Sequence, residues 1–77
     1  MLYAYVMTSC DIGSAEEVVS DLQKINGVQE VSMVNGIYDI VVKTSARNAK
    51  DLERTNMQIR EINKVLSTMT LIVSMSY

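Results

Sequence analysis

Residues 28–43, with the sequence VQEVSMVNGIYDIVVK, determine the predicted fold of this chain. Asn35-Gly36 lies between two apolar runs and predicts a β-hairpin, because a two-residue type I′ turn needs positive φ at both central positions. The second strand then carries a carboxylate, Asp39, among apolar neighbours. Burying a carboxylate is unfavourable without a partner. We therefore expect Asp39 either to accept hydrogen bonds from nearby groups of the fold or to bind a cation.

Four strands and two helices are predicted around this hairpin. The strands cover residues 2–8, 28–34, 37–43 and 67–75, and residues 10–13 form a loop. A capping box of Ser14 and Glu17 begins the first helix, and a left-handed Gly27 follows its end. Asn48, with Asp51 three residues later, begins the second helix. The apolar positions at helical spacing are Val18, Val19, Leu22 and Ile25 in the first helix, and Leu52, Ile59, Ile62 and Leu66 in the second.

The two halves of the chain share a pattern. Four residues of the first half recur 37 positions later: Leu22, Ile25, Asn26 and Val28 return as Ile59, Ile62, Asn63 and Val65. The order is therefore βαββαβ, and right-handed crossovers place both helices on one face of a four-stranded antiparallel sheet. This predicts one α+β domain over residues 1–77 with the ferredoxin-like fold.

The sheet face opposite the helices is predicted to be apolar as well. Tyr3, Tyr5 and Met7 alternate with Ala4 and Val6 along the first strand, whereas a half-solvated antiparallel sheet has polar residues on one side. Two helices cover only one face. We therefore expect a sheet-on-sheet homodimer with Tyr3, Tyr5 and Met7 in its interface.

Composition argues against several classes of protein. A net charge of −2 does not favour general binding to nucleic acids or anionic membranes, and the longest apolar runs are too short to span a bilayer. With no His and one Cys, no metal site, cofactor or disulfide framework is predicted. General acid–base catalysis usually needs a His or a perturbed carboxylate, so no catalytic residue and no enzyme is expected. A single Cys and the absence of a signal peptide fit a cytoplasmic protein.

The ordered motifs resemble those of a known family. Ile-Asn-Gly-Val at residues 25–28, Gly-x-Tyr-Asp at residues 36–39 and Thr-x-Thr at residues 68–70 resemble the C-terminal effector-binding (RAM) domain of the Lrp/AsnC family. The resemblance implies a free amino acid bound between dimers, and dimers that assemble into an octamer or a similar ring. It implies a stand-alone, transcription-regulatory domain without the family's helix-turn-helix, which senses amino acids directly or modulates full-length Lrp/AsnC regulators by mixed assembly.

The resemblance also implies which residues bind the effector. They are Asn35, Gly36, Ile37, Tyr38, Asp39, Thr68 and Thr70. Five of them also have an ordinary structural explanation, because Asn-Gly forms turns, Asp accepts backbone hydrogen bonds and Thr favours strands. Two alternatives stay open for the whole domain: an ACT-like amino-acid-binding domain, which shares the βαββαβ order, and a purely structural assembly module.

Overall fold

The computed structural model describes all 77 residues, which form four strands and two helices in the order βαββαβ. The elements are β1 (Leu2–Cys10), α1 (Ala15–Leu22), β2 (Val28–Met33), β3 (Ile40–Ala46), α2 (Ala49–Arg60) and β4 (Val65–Ile72). All neighbouring strands are antiparallel, and their order across the sheet is β2-β3-β1-β4. The predicted ferredoxin-like architecture is confirmed.

The core lies between one face of the sheet and the two helices. Alternate residues of the two central strands point into it: Ala4, Val6, Thr8 and Cys10 of β1, and Ile40, Val42, Thr44 and Ala46 of β3. Val18 and Leu22 of α1, with Leu52 and Ile59 of α2, are buried against them. The alternation of buried and exposed positions follows from the period of two in a strand.

The two helix starts differ from each other. The side-chain oxygen of Asn48 accepts a hydrogen bond from the backbone N–H of Asp51 at 2.9 Å, which confirms the predicted cap of α2. Ser14 precedes α1 but its side chain makes no capping bond, so the predicted capping box is wrong. Glu17, which would have completed the box, instead accepts a hydrogen bond from Lys64 at 2.8 Å.

Both helices are followed by a residue in the left-handed region. Gly27 has φ +101°, as predicted, and Lys64 occupies the same place in the second half of the chain with φ +78°. The helices end earlier than the apolar pattern predicts, at Leu22 and Arg60. Leu66 is not part of the α2 stripe: it lies in β4 and is 65% exposed, because the chain has already reversed at Lys64.

The hairpin is the largest departure from prediction. Neither Asn35 nor Gly36 has positive φ, so the type I′ turn is wrong. Residues 34–39 form a loop instead, closed by a 2.8 Å hydrogen bond from the Val34 N–H to the Asp39 carbonyl. As a result β3 begins at Ile40 rather than at residue 37, and extends to Ala46 rather than to residue 43.

Three other strand limits also move. β1 continues through Cys10, which was predicted to be in a loop, because Cys10 pairs with Val65 after an irregularity in the register. β4 accordingly begins at Val65 and ends at Ile72, and β2 ends at Met33. The inward and outward faces of the strands are unaffected, since shifting an end does not change the alternation.

Candidate functional site

The β2–β3 loop, residues 34–39, contains five of the residues predicted to bind the effector. Asp39 fixes this loop against the end of β1. Its backbone N–H donates to the carbonyl of Thr8 at 3.0 Å. Its carboxylate oxygen Oδ2 accepts from the N–H of Cys10, also at 3.0 Å. Asp39 therefore has a structural role in a single chain, while its second carboxylate oxygen makes no hydrogen bond within the protein.

The tip of the β2–β3 loop is exposed to solvent. Asn35, Gly36 and Ile37 are exposed, and the Ile37 side chain is 93% accessible. A Cβ atom added to Gly36 would meet nothing within 4 Å. Tyr38 is half-buried. In one chain the loop tip is thus an open surface with no enclosing wall.

Thr68 and Thr70 lie elsewhere, on the helix side of β4. They pair with Thr8 and Val6, two buried residues of β1, which places all four side chains on the same face of the sheet. They line an open groove of about 480 Å³ between β4 and α2, which we call the α2–β4 groove. Leu52, Asn56, Arg60 and Ile72 also line it.

The structure therefore separates the predicted ligand-binding residues into two groups. Residues 35–39 are together in one loop, and Thr68 and Thr70 are together in the α2–β4 groove. Strand β1 lies between β3, which follows the loop, and β4. Sequence analysis missed Asn56 and Arg60 of the groove. Their spacing of four residues marks one side of a helix, but only the packing of α2 beside β4 identifies which side faces the groove.

The open face of the sheet, opposite the helices, is apolar at its centre. Tyr3 and Tyr5 are 41% and 39% exposed, and Met7 is half-buried. Met69 and Leu71 of β4 pair with Met7 and Tyr5 and are 45% and 50% exposed. Tyr3, Tyr5 and Lys43 with residues 73–77 also line an open depression of about 870 Å³. The predicted interface residues thus lie together on a partly exposed apolar surface.

Cys10 is a buried free thiol next to the carboxylate of Asp39. Burial raises the pKa of Cys10, and the negative charges of Asp39 and then Asp11 raise it further. Both effects disfavour the thiolate, so Cys10 is a poor nucleophile near neutral pH. No group of three or more His, Cys, Asp or Glu side chains is arranged to hold a metal ion. None of the helices has the length and hydrophobicity needed to cross a bilayer.

Asp39→Asn is expected to lower the pKa of Cys10 without disturbing the loop. The amide oxygen of Asn still accepts a hydrogen bond from the Cys10 N–H, while the negative charge is lost. We therefore expect the free energy of unfolding to change by less than about 1 kcal/mol. The rate of Cys10 alkylation by iodoacetamide, followed from pH 7 to 11, measures the shift. Asp11→Asn is the control, and its shift should be smaller. A larger shift in Asp11→Asn would contradict this arrangement.

Comparison with known proteins identifies related chains. The sequence model described as "Lrp/AsnC ligand binding domain" matches residues 3–77. A protein of known structure from Pyrococcus horikoshii is 28% identical, covers 100% of this chain with 94% of its own length, and superposes with a TM-score of 0.88. A feast or famine regulatory protein from M. tuberculosis, complexed with L-methionine, is 23% identical with a TM-score of 0.85. All of this chain is covered, but only 52% of that one.

A relative of a different kind is homocitrate synthase from Saccharolobus islandicus. It is 37% identical over 71 residues, which are 91% of this chain but 15% of that enzyme. The chain thus spans a small part of the curated relatives it matches, and the remaining 85% of the enzyme has no counterpart here.

Proposed function

Because this chain belongs to the Lrp/AsnC ligand-binding domain family, we propose that it senses a free amino acid and assembles through its open sheet face into dimers and then a ring. The observation that carries the proposal is the separation of the two predicted groups of ligand-binding residues. The β2–β3 loop and the Thr68–Thr70 pair do not meet in one chain. A site between subunits would combine the loop of one subunit with the groove of another.

The open face supports the first step of assembly. Tyr3, Tyr5, Met69 and Leu71 expose apolar area that a second sheet would remove from water. Each Å² of apolar surface buried contributes about 25 cal/mol, so a twofold sheet-on-sheet contact gains stability in both copies. Only 14 of the 77 residues are buried in the monomer, which makes this additional burial important for a small domain.

The effector is proposed to be an amino acid on the evidence of the family and of its relatives. The M. tuberculosis protein of the same fold was crystallised with L-methionine. The match to the Lrp/AsnC domain favours this proposal over the ACT-like alternative. We further propose that the chain works in the cytoplasm without catalytic activity, and that its macromolecular partners are its own copies or full-length regulators of the family rather than nucleic acid.

Adding the effector is expected to raise the thermal stability of the protein. A ligand that binds only the folded state stabilises it by RT ln(1 + [L]/Kd), about 2.7 kcal/mol at one hundred times Kd. Thermal unfolding with each of the twenty amino acids at about 5 mM, above the roughly 1 μM–1 mM range of KM values for small substrates, should identify one or a few that raise Tm by several degrees.

The same samples should be run on size-exclusion chromatography with light scattering. A change in mass or retention with the stabilising amino acid would support a site between subunits. An assembled protein that responds to none of the twenty amino acids would instead favour the purely structural module. A monomer in all runs would contradict the proposed assembly.

A further inference from the structure

The open face of the sheet carries one isolated pair of opposite charges. Lys43 of β3 pairs in the ladder with Tyr5 of β1 on one side and with Glu30 of β2 on the other. Because directly paired residues of neighbouring strands share a face, both charges lie on the open face with Tyr5. The other residues that the ladders place on this face are uncharged: Tyr3, Met7, Ser9, Ser32, Val41, Ser45, Ser67, Met69 and Leu71. The paired strands thus present one base and one acid on the open face.

These two charges are neighbours but form no ion pair within one chain. Directly opposed residues of an antiparallel pair have Cβ atoms about 4.5–5.5 Å apart, within easy reach of an ion pair. The ion pairs of the chain are nevertheless Arg54 with Asp51 and Lys64 with Glu17, which belong to the helices and to the turn before β4. The ammonium and the carboxylate on the open face are therefore both free to bind a group from another molecule.

Covering the open face with a second sheet would remove the Lys43 ammonium from water. The Lys43 side chain is already half-buried in one chain, beside Tyr5. A charge that loses its water without gaining a partner strongly opposes association, and two lysines facing each other would add repulsion. The sheet-on-sheet dimer therefore needs an acid opposite Lys43. Glu30, which is exposed, is the acid that the open face supplies.

We propose that Lys43 of each subunit pairs with Glu30 of the partner subunit, and that these pairs make the open face select a second copy of this chain. Strand side chains stand roughly perpendicular to the sheet, so both charges point toward the opposing sheet rather than toward each other. Twofold symmetry makes the contact occur twice in each dimer. A sheet without the complementary acid and base would leave these charges unpaired and bind poorly. This inference rests on the proposed function, since it names the residues that choose the partner at the same dimer interface.

Charge reversal tests the pair, with the dimer dissociation constant measured by sedimentation velocity. Lys43→Glu places two acids in each contact, and Glu30→Lys places two bases there. Each variant alone should therefore dimerise at least about 100-fold more weakly than the wild-type chain. An equimolar mixture of the two should form heterodimers with nearly the wild-type dissociation constant, because each contact then joins opposite charges. Native mass spectrometry with one variant isotopically labelled identifies the heterodimers.

The double variant Lys43→Glu/Glu30→Lys separates partner choice from folding. It should dimerise with itself as the wild-type chain does, yet form few heterodimers with the wild-type chain, because every mixed contact joins like charges. The matched control is the exposed ion pair of Lys64 with Glu17, away from the open face. Lys64→Glu and Glu17→Lys change the net charge by the same amounts, and each should leave the dissociation constant within about threefold of the wild-type value.

The outcomes distinguish failure of this inference from failure of the proposed function. If the wild-type chain dimerises but the reversal variants of Lys43 and Glu30 dimerise as well as the controls do, these charges do not choose the partner. If the double variant mixes freely with wild-type subunits, the two charges pair within each chain and the inference is wrong. If the wild-type chain is monomeric at every concentration, the proposed assembly itself is wrong.

Discussion

Gly27→Ala is expected to lower the free energy of unfolding by about 2–5 kcal/mol, the largest loss from a single methyl group in this chain. Gly27 has φ +101°, a conformation that L-residues rarely adopt. A Cβ atom at this position would lie 2.8 Å from Oγ1 of Thr55 and 3.3 Å from the carbonyl oxygen of Ser45. Backbone strain and overpacking therefore add together.

The surroundings of Gly27 have little freedom to adjust. Thr55 is 5% exposed, and its hydroxyl donates to the carbonyl of Asp51 at 3.2 Å and lies 3.4 Å from that of Asn26. The Gly27 carbonyl accepts from the N–H of Ser45 at 2.9 Å, which fixes the backbone against β3. Moving either group to admit a methyl would break one of these bonds.

Gly13→Ala provides the matched control for urea denaturation. Gly13 also has positive φ, +82°, but an added Cβ would meet nothing within 4 Å. Its substitution should cost only the conformational strain, about 1 kcal/mol. An equal decrease in the free energy of unfolding for the two variants would mean that Thr55 moves to admit the methyl group without an energetic cost.

Leu71→Arg is expected to convert the proposed sheet-on-sheet dimer into monomers. Leu71 is 50% exposed on the open face, in the edge strand β4, and pairs with Tyr5 of the central strand β1. In a twofold interface the substitution buries two unpaired guanidinium groups, each costing several kcal/mol. The dimer dissociation constant should therefore rise by on the order of 1,000-fold or more. Sedimentation velocity over a range of micromolar concentrations measures it.

Met57→Arg is the control for this experiment. Met57 is 48% exposed, almost the same as Leu71, but lies on α2, in the other layer of the domain. It should leave the dimer intact. Dissociation by Met57→Arg, or an unaffected Leu71→Arg dimer, would show that the subunits associate through a different surface.

Local rules predicted those parts of the fold in which the local signal and the packing agree. Asn48 caps α2 because its partner, the Asp51 N–H, is only three residues away and has no other hydrogen-bond acceptor at the start of the helix. Gly27 was predicted correctly because a helix that turns into a strand needs a left-handed residue there. Along β1, the alternation of large exposed side chains with Ala4 and Val6 was sufficient to distinguish the two faces of the sheet.

The failures arise where a distant contact overrides the local signal. Asn35-Gly36 favours a tight turn, but the bonds of Asp39 to Thr8 and Cys10 hold the chain in a wider loop. Lys64, 47 residues away in sequence, pairs with Glu17 in place of the capping box. Asn56 and Arg60 were missed because no sequence pattern shows which side of α2 faces β4.

The strand order β2-β3-β1-β4 also affects how this domain folds. β1 and β2, joined by α1, are never neighbours, because β3 from the other half lies between them; likewise β1 separates β3 from β4. Neither half can close a sheet with its own strands. The strands of the two halves are interleaved, so the sheet forms only when β3 of the second half has inserted between β1 and β2 of the first. Contacts this distant in sequence are expected to make the 77-residue chain fold more slowly than a helical bundle of similar length.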